Sequence, residues 1–313
     1  MKKVLFATTA LILSAGFAHA EVAVGGDGRM GIVYDGNDAQ FSSRVRVEFT
    51  LTGESDSGLS FGGSTRVDHM NGGAEGNAGE VWVSGAFGKL TMGDIDSAAE
   101  NAIGDLTEIG YTGLGFHNEF VYTSSDDESA GDPGALYSYS VGDANVYVSM
   151  MDSNDQESYS VGANYKFGNS LVGIGYERNK SYDVAADATI ERNLLSAGAG
   201  VGTWDTKTWV IGGASTFGAA TVKAGYAQTE VDGVADKFKQ IGVGVDYAMG
   251  PTTVSGFVRQ EKLGDLKAQY VGIGAEYDLG GGASVKGGIV DIDQSDVGGI
   301  DDTVADLGLK FKF

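Results

Sequence analysis

The chain has 313 residues, and its 43 aspartates and glutamates outnumber its 21 lysines and arginines, giving a formal net charge of −22. Binding to a nucleic-acid backbone needs a basic stripe, so this composition argues against a nucleic-acid partner. Cysteine is absent, which excludes disulfides, and 51 glycines with only 2 prolines favour many strands joined by tight turns over a collagen-like or flexible chain.

The first twenty residues have the features of an export signal. Two lysines precede an apolar run over residues 4–17, and residues 18–20 read Ala-His-Ala, the small-x-small pattern of a signal peptidase site. The apolar run is shorter than the ~20 residues that a helix needs to span a bilayer. We therefore predict a signal peptide at 1–20 and a single mature domain at 21–313, where 19 basic and 43 acidic residues leave a formal charge of −24.

Side chains alternate between apolar and polar along most of the mature chain. In residues 44–51, valine, phenylalanine and leucine alternate with arginine, glutamate and threonine, which is typical of a strand with two different faces. Because glycines and charges share the polar face, we predict a barrel with lipid outside and water inside, rather than a soluble sandwich. The same period of two recurs over residues 59–68, 159–167, 240–247, 271–279 and 305–313.

The connections between these segments predict the number of strands. Seven short turns and eight longer polar connections make fifteen connections and therefore sixteen strands, an even number that brings both chain ends to one rim. Residues 190–204 also alternate, but we assign them to a loop because a further strand would break this parity. The short turns lie near Gly53, Gly88, Gly142, Gly168, Gly218, Gly250 and Gly280, and the longer connections at 35–40, 70–78, 94–133, 152–157, 179–206, 229–237, 261–266 and 292–302.

A sheet that faces lipid has to close on itself. An unpaired backbone group in hydrocarbon costs several kcal/mol, so an open edge is excluded. Sixteen strands enclose a space too wide for side chains to fill, which leaves an aqueous channel. Aromatic residues near the strand ends suit the two membrane interfaces: Tyr34, Phe41, Phe87, Tyr137, Tyr165, Phe167, Tyr247 and Tyr277.

One connection, the long loop at residues 94–133, is forty residues long, and such long connections in compact domains are usually functional. Residues 97–106 favour a short helical turn because their alanines and an isoleucine form a small apolar face. The long loop contains no lysine or arginine, and its ten acidic residues are Asp94, Asp96, Glu100, Asp105, Glu108, Glu119, Asp126, Asp127, Glu128 and Asp132.

Four arginines of the first three strands share the polar face, because the alternation places apolar neighbours such as Met30, Ile32 and Val45 outside. If the long loop folds inward, its acids face these arginines across the water and create a transverse field. The alternative is local pairing of each arginine, with the loop as a solvated acidic surface. The predicted constriction consists of Arg29, Arg44, Arg46, Arg66, Asp94, Asp96, Glu100, Asp105 and Glu108.

Several stretches together resemble the general diffusion porins of purple non-sulfur alphaproteobacteria, and the resemblance covers essentially the whole mature chain. It implies an all-β, sixteen-stranded antiparallel transmembrane barrel with the long loop, the third, folded into the pore. The stretches are Gly28-Arg29-Met30-Gly31, residues 41–46, 83–89, 92–94, 104–106 and 277–284, and residues 304–308 with 311–313.

The resemblance also implies a location, partners and ions. We expect an exported homotrimer in the outer membrane, in contact with lipid and lipopolysaccharide, that passes small polar solutes and ions. It implies that Phe313 ends the chain as such barrels do for recognition by the outer-membrane assembly machinery. No cofactor is expected to be required, although loop acids of the family can bind calcium, and Asp94, Asp96 and Asp105 are the candidates.

Three other functions remain open from the residues alone. These alternatives are a substrate-selective channel, a plugged adhesive or structural barrel, and an outer-membrane enzyme. We expect no enzyme, because the mature chain offers only His69 and His117 as histidine donors and no cysteine.

Overall fold

The computed structural model describes residues 21–70, 73–124, 134–152, 157–183, 203–297 and 301–313. Sixteen antiparallel strands in this part of the chain form a closed barrel, in which each strand pairs with its sequence neighbours and the last pairs with the first. Arg29 stands opposite Lys310 at that closing seam. The predicted fold class is confirmed, whereas the predicted signal peptide at 1–20 lies outside the described residues.

The strand bounds place all seven predicted short turns at one rim. The α-helix α1 (Ala98–Ile103) follows the fifth strand, and no helix in the described residues is both long and apolar enough to cross a bilayer. The strands are β1 (Glu21–Tyr34), β2 (Ala39–Glu54), β3 (Ser60–Met70), β4 (Gly73–Gly85), β5 (Gly88–Gly93), β6 (Gly134–Val141), β7 (Ala144–Asp152), β8 (Glu157–Phe167), β9 (Ser170–Asp183), β10 (Thr203–Phe217), β11 (Ala220–Val231), β12 (Phe238–Met249), β13 (Thr252–Leu263), β14 (Leu266–Gly280), β15 (Ala283–Asp293) and β16 (Asp301–Lys312).

Several strands extend further than their polar sequence predicts. The connection predicted at 70–78 is only 71–72, and the one predicted at 261–266 is only 264–265. Backbone pairing between strands continues beyond the apolar, lipid-facing band. Polar side chains there are in water, so they do not destabilise the strand. Of the connection predicted at 179–206, residues 179–183 belong to β9 and residues 203–206 to β10, whereas residues 184–202, which include most of the ambiguous stretch 190–204, lie outside the described residues.

The outer face of the barrel is apolar. Large side chains there are strongly exposed, for example Phe41 at 92% and Leu307 at 62%. All eight aromatic residues predicted for the membrane interfaces are also exposed. A belt of exposed apolar side chains on a closed barrel is the surface that hydrocarbon covers.

The inner face is not uniformly polar, which the sequence pattern did not predict. Inward positions of β10 to β15 form an apolar core with the long loop, and its largest fully buried members include Phe238 and Tyr270. Alternation alone predicts that all apolar side chains of a strand face lipid. It therefore does not identify inward apolar side chains that the long loop covers. The strand members of this inner core are Val210, Ala227, Val231, Phe238, Phe257, Leu263, Ala268, Tyr270, Val290 and Ile292.

Candidate functional site

The long loop begins with helix α1, which lies within the range predicted for a helical turn. Ser97 caps the helix by accepting a hydrogen bond from the Glu100 N–H at 3.1 Å. Two further N–H groups of the first turn, those of Ala98 and Ala99, donate to serine hydroxyls of β7 and β8 at 2.9 Å each. Because the first turn of a helix has no internal acceptors, these barrel serines satisfy it and fix the helix to the wall.

Glycines in the barrel wall let α1 approach the strand backbone. A Cβ atom at Gly162 would lie 2.1 Å from the carbonyl oxygen of Ala98, and one at Gly173 would lie 2.4 Å from that of Ala102. Both glycines point inward, on neighbouring strands β8 and β9. The space needed by the helix is therefore provided by missing side chains in the wall.

The return half of the long loop is hydrogen-bonded to buried polar side chains of the wall. The Val121 N–H donates to Gln240 at 2.9 Å, and the Thr123 N–H donates to the fully buried Glu177 at 2.7 Å. Arg259 also donates to the carbonyl oxygen of Glu119. Buried polar groups keep such partners because an unmade bond is costly, so these contacts hold this part of the loop in one position.

The tip of the long loop is attached to the closing seam. Asp306 on β16 accepts hydrogen bonds from the Thr112 N–H at 2.8 Å and from its hydroxyl at 2.6 Å. Arg29 on β1 donates to the carbonyl oxygens of Tyr111 at 3.3 Å and Thr112 at 3.4 Å. We call Arg29, Asp306 and Thr112 the tip latch.

The four predicted arginines line one cavity of about 730 Å³, together with Glu108 of the long loop. Arg44 and Arg46 each pair with a strand neighbour: Arg44 with Asp27 at 2.7 Å, and Arg46 with Asp68 at 2.6 Å. Local pairing of these arginines and lining of the cavity therefore occur together and do not exclude each other. Two lysines that the prediction missed, Lys310 and Lys312, line the same cavity on β16. The inward alternation of β16 was the available signal for them.

The other predicted acids have different positions. Asp94, Asp96, Glu100 and Asp105 are not among the described residues that line this cavity. Asp105 accepts a hydrogen bond from the Phe120 N–H at 2.9 Å and so joins the two halves of the loop. Asp126, Asp127, Glu128 and Asp132 lie outside the described residues.

Asp105 makes loop docking dependent on pH. Burial raises its pKa to about 6, although the Phe120 N–H and the nearby Arg259 and Lys223 favour the charged form. Between the usual pKa of 3.8 and this value, the docked loop holds more protons than a solvated one, so docking weakens as pH rises through that window.

We expect the amide hydrogens around Phe120 to exchange faster at pH 7 than at pH 4.5, after correction for intrinsic rates. Hydrogen exchange with mass spectrometry measures this, and Asp105→Asn, which keeps an acceptor oxygen without the charge, should remove the dependence. An identical pH profile in both proteins would contradict the role given to this carboxyl.

The residues proposed for calcium do not form a shared site. Within the described residues, no three His, Cys, Asp or Glu side chains come together in a group that could hold a metal ion. The Asp105 carboxylate instead accepts a hydrogen bond from the Phe120 N–H. Calcium binding stays a prediction.

The two mature histidines lie on different faces of the wall. His69 stands opposite the outward Val45 in the strand register, whereas His117 of the long loop is buried and stacks on Tyr270 at 5.1 Å. This arrangement does not bring the two imidazoles into one catalytic group.

Comparisons with known proteins agree with this architecture. The chain matches the family described as Gram-negative porin over residues 7–297. It is 41% identical to a porin of Rhodobacter capsulatus and 27% identical to a porin of Fuscovulum blasticum, each over 94% of this chain and 100% of the relative. A porin structure refined at 1.8 Å resolution is similar with a TM-score of 0.78 and 38% identity, over 94% of this chain and 100% of that one. The chain belongs to the Gram-negative porin family and is an outer-membrane channel for passive diffusion.

Proposed function

We propose that the long loop constricts this channel and that the constriction is charged on two sides. Glu108 and the four arginines Arg29, Arg44, Arg46 and Arg66 line one cavity, and we assign the loop acids Asp96 and Glu100, which do not line it, to the same side of the constriction as Glu108. The observation that supports this proposal is the cavity that the four arginines share with Glu108. Opposed charges across a narrow water path orient polar solutes and disfavour apolar ones.

The permeating solutes are small, hydrophilic molecules and ions that cross without a dedicated carrier step. A plugged adhesive barrel is the less favoured function, because a cavity of about 730 Å³ remains beside the docked loop. A substrate-selective channel differs from a general one by saturable flux. Reconstitution in planar bilayers tests the general channel, the selective channel and the plugged barrel. Large, stepwise, ohmic conductance supports the general channel, and absence of conductance would refute it.

We further propose that the channel is a homotrimer in contact with outer-membrane lipid and lipopolysaccharide, exported through a cleaved signal at 1–20. Full-length similarity to known porins supports this assembly. Native mass spectrometry from detergent should report three chains that each begin at Glu21. A single chain per particle, or retention of residues 1–20, would refute the corresponding part of the proposal.

Neutralising the loop side should change ion preference. In the triple variant Asp96→Asn, Glu100→Gln, Glu108→Gln, we expect the zero-current potential in a KCl gradient to shift toward anions, because the wall arginines keep their charge. The matched control neutralises Asp35, Glu54 and Asp56, which lie in or beside turns at the rims and are exposed. Equal shifts in both triple variants would show that total charge, and not the proposed constriction, sets the preference.

A further inference from the structure

The tip of the long loop contains a turn of unusual handedness. Four consecutive residues have positive φ angles: Gly113 at 87°, Leu114 at 44°, Gly115 at 84° and Phe116 at 57°. Residues with a side chain rarely adopt this backbone, and it persists only where the surroundings impose it. Strained backbone of this kind is found mostly at ligand-binding and other functional positions, so this turn indicates a functional role.

The turn points two large apolar side chains in different directions. Leu114 is 4% exposed and belongs to the inner core, whereas Phe116 is 41% exposed and lines the cavity that holds the arginines. Gly113 supports the ring from behind, since a Cβ there would lie 2.6 Å from it. The strained backbone therefore anchors the loop through one residue and presents an aromatic ring to the water-filled cavity through the other.

The barrel wall that lines this cavity supplies a cation, Lys310. Lys310 points inward next to Arg29 in the strand register, and it makes no salt bridge with any residue that the structure describes. Glu108, the loop acid of the same cavity, is already paired with Lys286 at 2.6 Å. Asp27, Glu276 and Asp278 also line the cavity, but with Glu108 they make four acidic residues against six basic ones, the four arginines, Lys310 and Lys312.

We infer that this cavity is a binding site for aromatic carboxylates, with the ring of the solute on Phe116 and its carboxylate toward Lys310 and Arg29. The inference deepens the proposed channel function by naming a solute class that the constriction retains. An aromatic ring on the loop and cationic groups on the barrel wall match the two ends of such a molecule, since aromatic pairs add to apolar contact and charged donors strengthen carboxylate hydrogen bonds. The cavity volume of about 730 Å³ is in the range of small-molecule sites.

The test is the block of KCl current through the reconstituted full-length channel. Benzoate and cyclohexanecarboxylate have the same charge and nearly the same size, but only benzoate is aromatic. Half-block by benzoate is expected at a concentration about threefold to tenfold lower, the range of an aromatic pair. Phe116→Leu should remove this difference, Phe116→Tyr should keep it, and Lys310→Gln should weaken block by both anions.

The matched control is Trp82→Leu, because Trp82 is another inward aromatic residue that packs under Lys89 and does not line the cavity. It should leave the benzoate preference unchanged. Equal block by the two anions in the unaltered channel, or a preference that survives Phe116→Leu, overturns the site while normal KCl conductance keeps the channel function. Absence of KCl conductance would instead overturn the channel proposal itself.

Discussion

Replacing Asp306 by alanine is expected to release the tip of the long loop and let larger neutral solutes pass. The carboxylate accepts two hydrogen bonds from Thr112, and its removal leaves the Thr112 N–H without that acceptor. Loss of such a partner costs about 2 kcal/mol, which raises the population of the undocked tip about 30-fold. The barrel ladder is unaffected, because its hydrogen bonds are made by the backbone.

Conductance with a series of uncharged polymers of graded size measures the release. Asp306→Ala should admit larger polymers and add current noise, and Asp306→Asn, which keeps an acceptor oxygen, should show a smaller effect. Asp301→Ala is the matched control on the same strand, because Asp301 is exposed near the rim. An unchanged size limit in Asp306→Ala would show that the tip latch does not hold the loop.

Arg29 and Asp306 should act as one unit. Both bind Thr112, and Arg29 also binds the Tyr111 carbonyl oxygen, so we expect removal of either one to free the tip. A double variant with Arg29→Ser is therefore expected to widen the pore by less than the sum of the single changes, which is the signature of coupled residues. The coupling distinguishes a latch from an arginine that only narrows the path by its own volume.

The barrel itself could be predicted from the sequence because its rules are local. Alternation from Arg44 to Leu51 assigns each residue to a face, and glycine-containing turns such as the one at Gly168 separate the strands. Parity then fixes the count at sixteen, as observed. The same alternation predicted that Arg29 and Arg66 point inward, where both line the cavity.

The docking of the long loop could not be predicted in this way. Ser149, Gln240 and Glu177 look like ordinary inward polar residues, yet each accepts a hydrogen bond from a loop N–H. Their loop partners are 51 to 119 residues away in sequence, so no short-range pattern connects them. The position of Phe238 could not be predicted for the same reason. Its ring points inward and is buried by the long loop, not by lipid.

The sign of the local charge also depends on the fold. The whole chain is acidic at −22, but strand register gathers arginines of β1, β2 and β3 with lysines of β16 around one cavity. Net charge describes the average surface, whereas a permeating ion meets the few groups within a Debye length of its path, about 8 Å at physiological salt. Ion preference therefore follows from the cavity residues more than from composition.

Placing valine at Gly162 should narrow the channel without weakening the strand that carries it. Valine suits a β-strand, so β8 itself tolerates the change. Its side chain, however, would occupy the space of the Ala98 carbonyl, which lies 2.1 Å from the Cβ position. Overpacking of this kind costs about 1–3 kcal/mol, and the hydrogen bonds at Thr112 and Thr123 keep the rest of the loop in place. Helix α1 can then move only toward the lumen, so we expect lower single-channel conductance and a smaller size limit.

The matched control is Ala163→Val on the same strand, because Ala163 points outward opposite the exposed Val146 and its extra methyl groups meet lipid. It should conduct like the unaltered channel. Gly173→Val should reproduce the effect of Gly162→Val, since its Cβ position lies 2.4 Å from the Ala102 carbonyl oxygen on the next turn of the same helix. Unchanged or higher conductance in both glycine variants would mean that α1 does not rest on this wall, and the position of the loop in the channel would have to be reassigned.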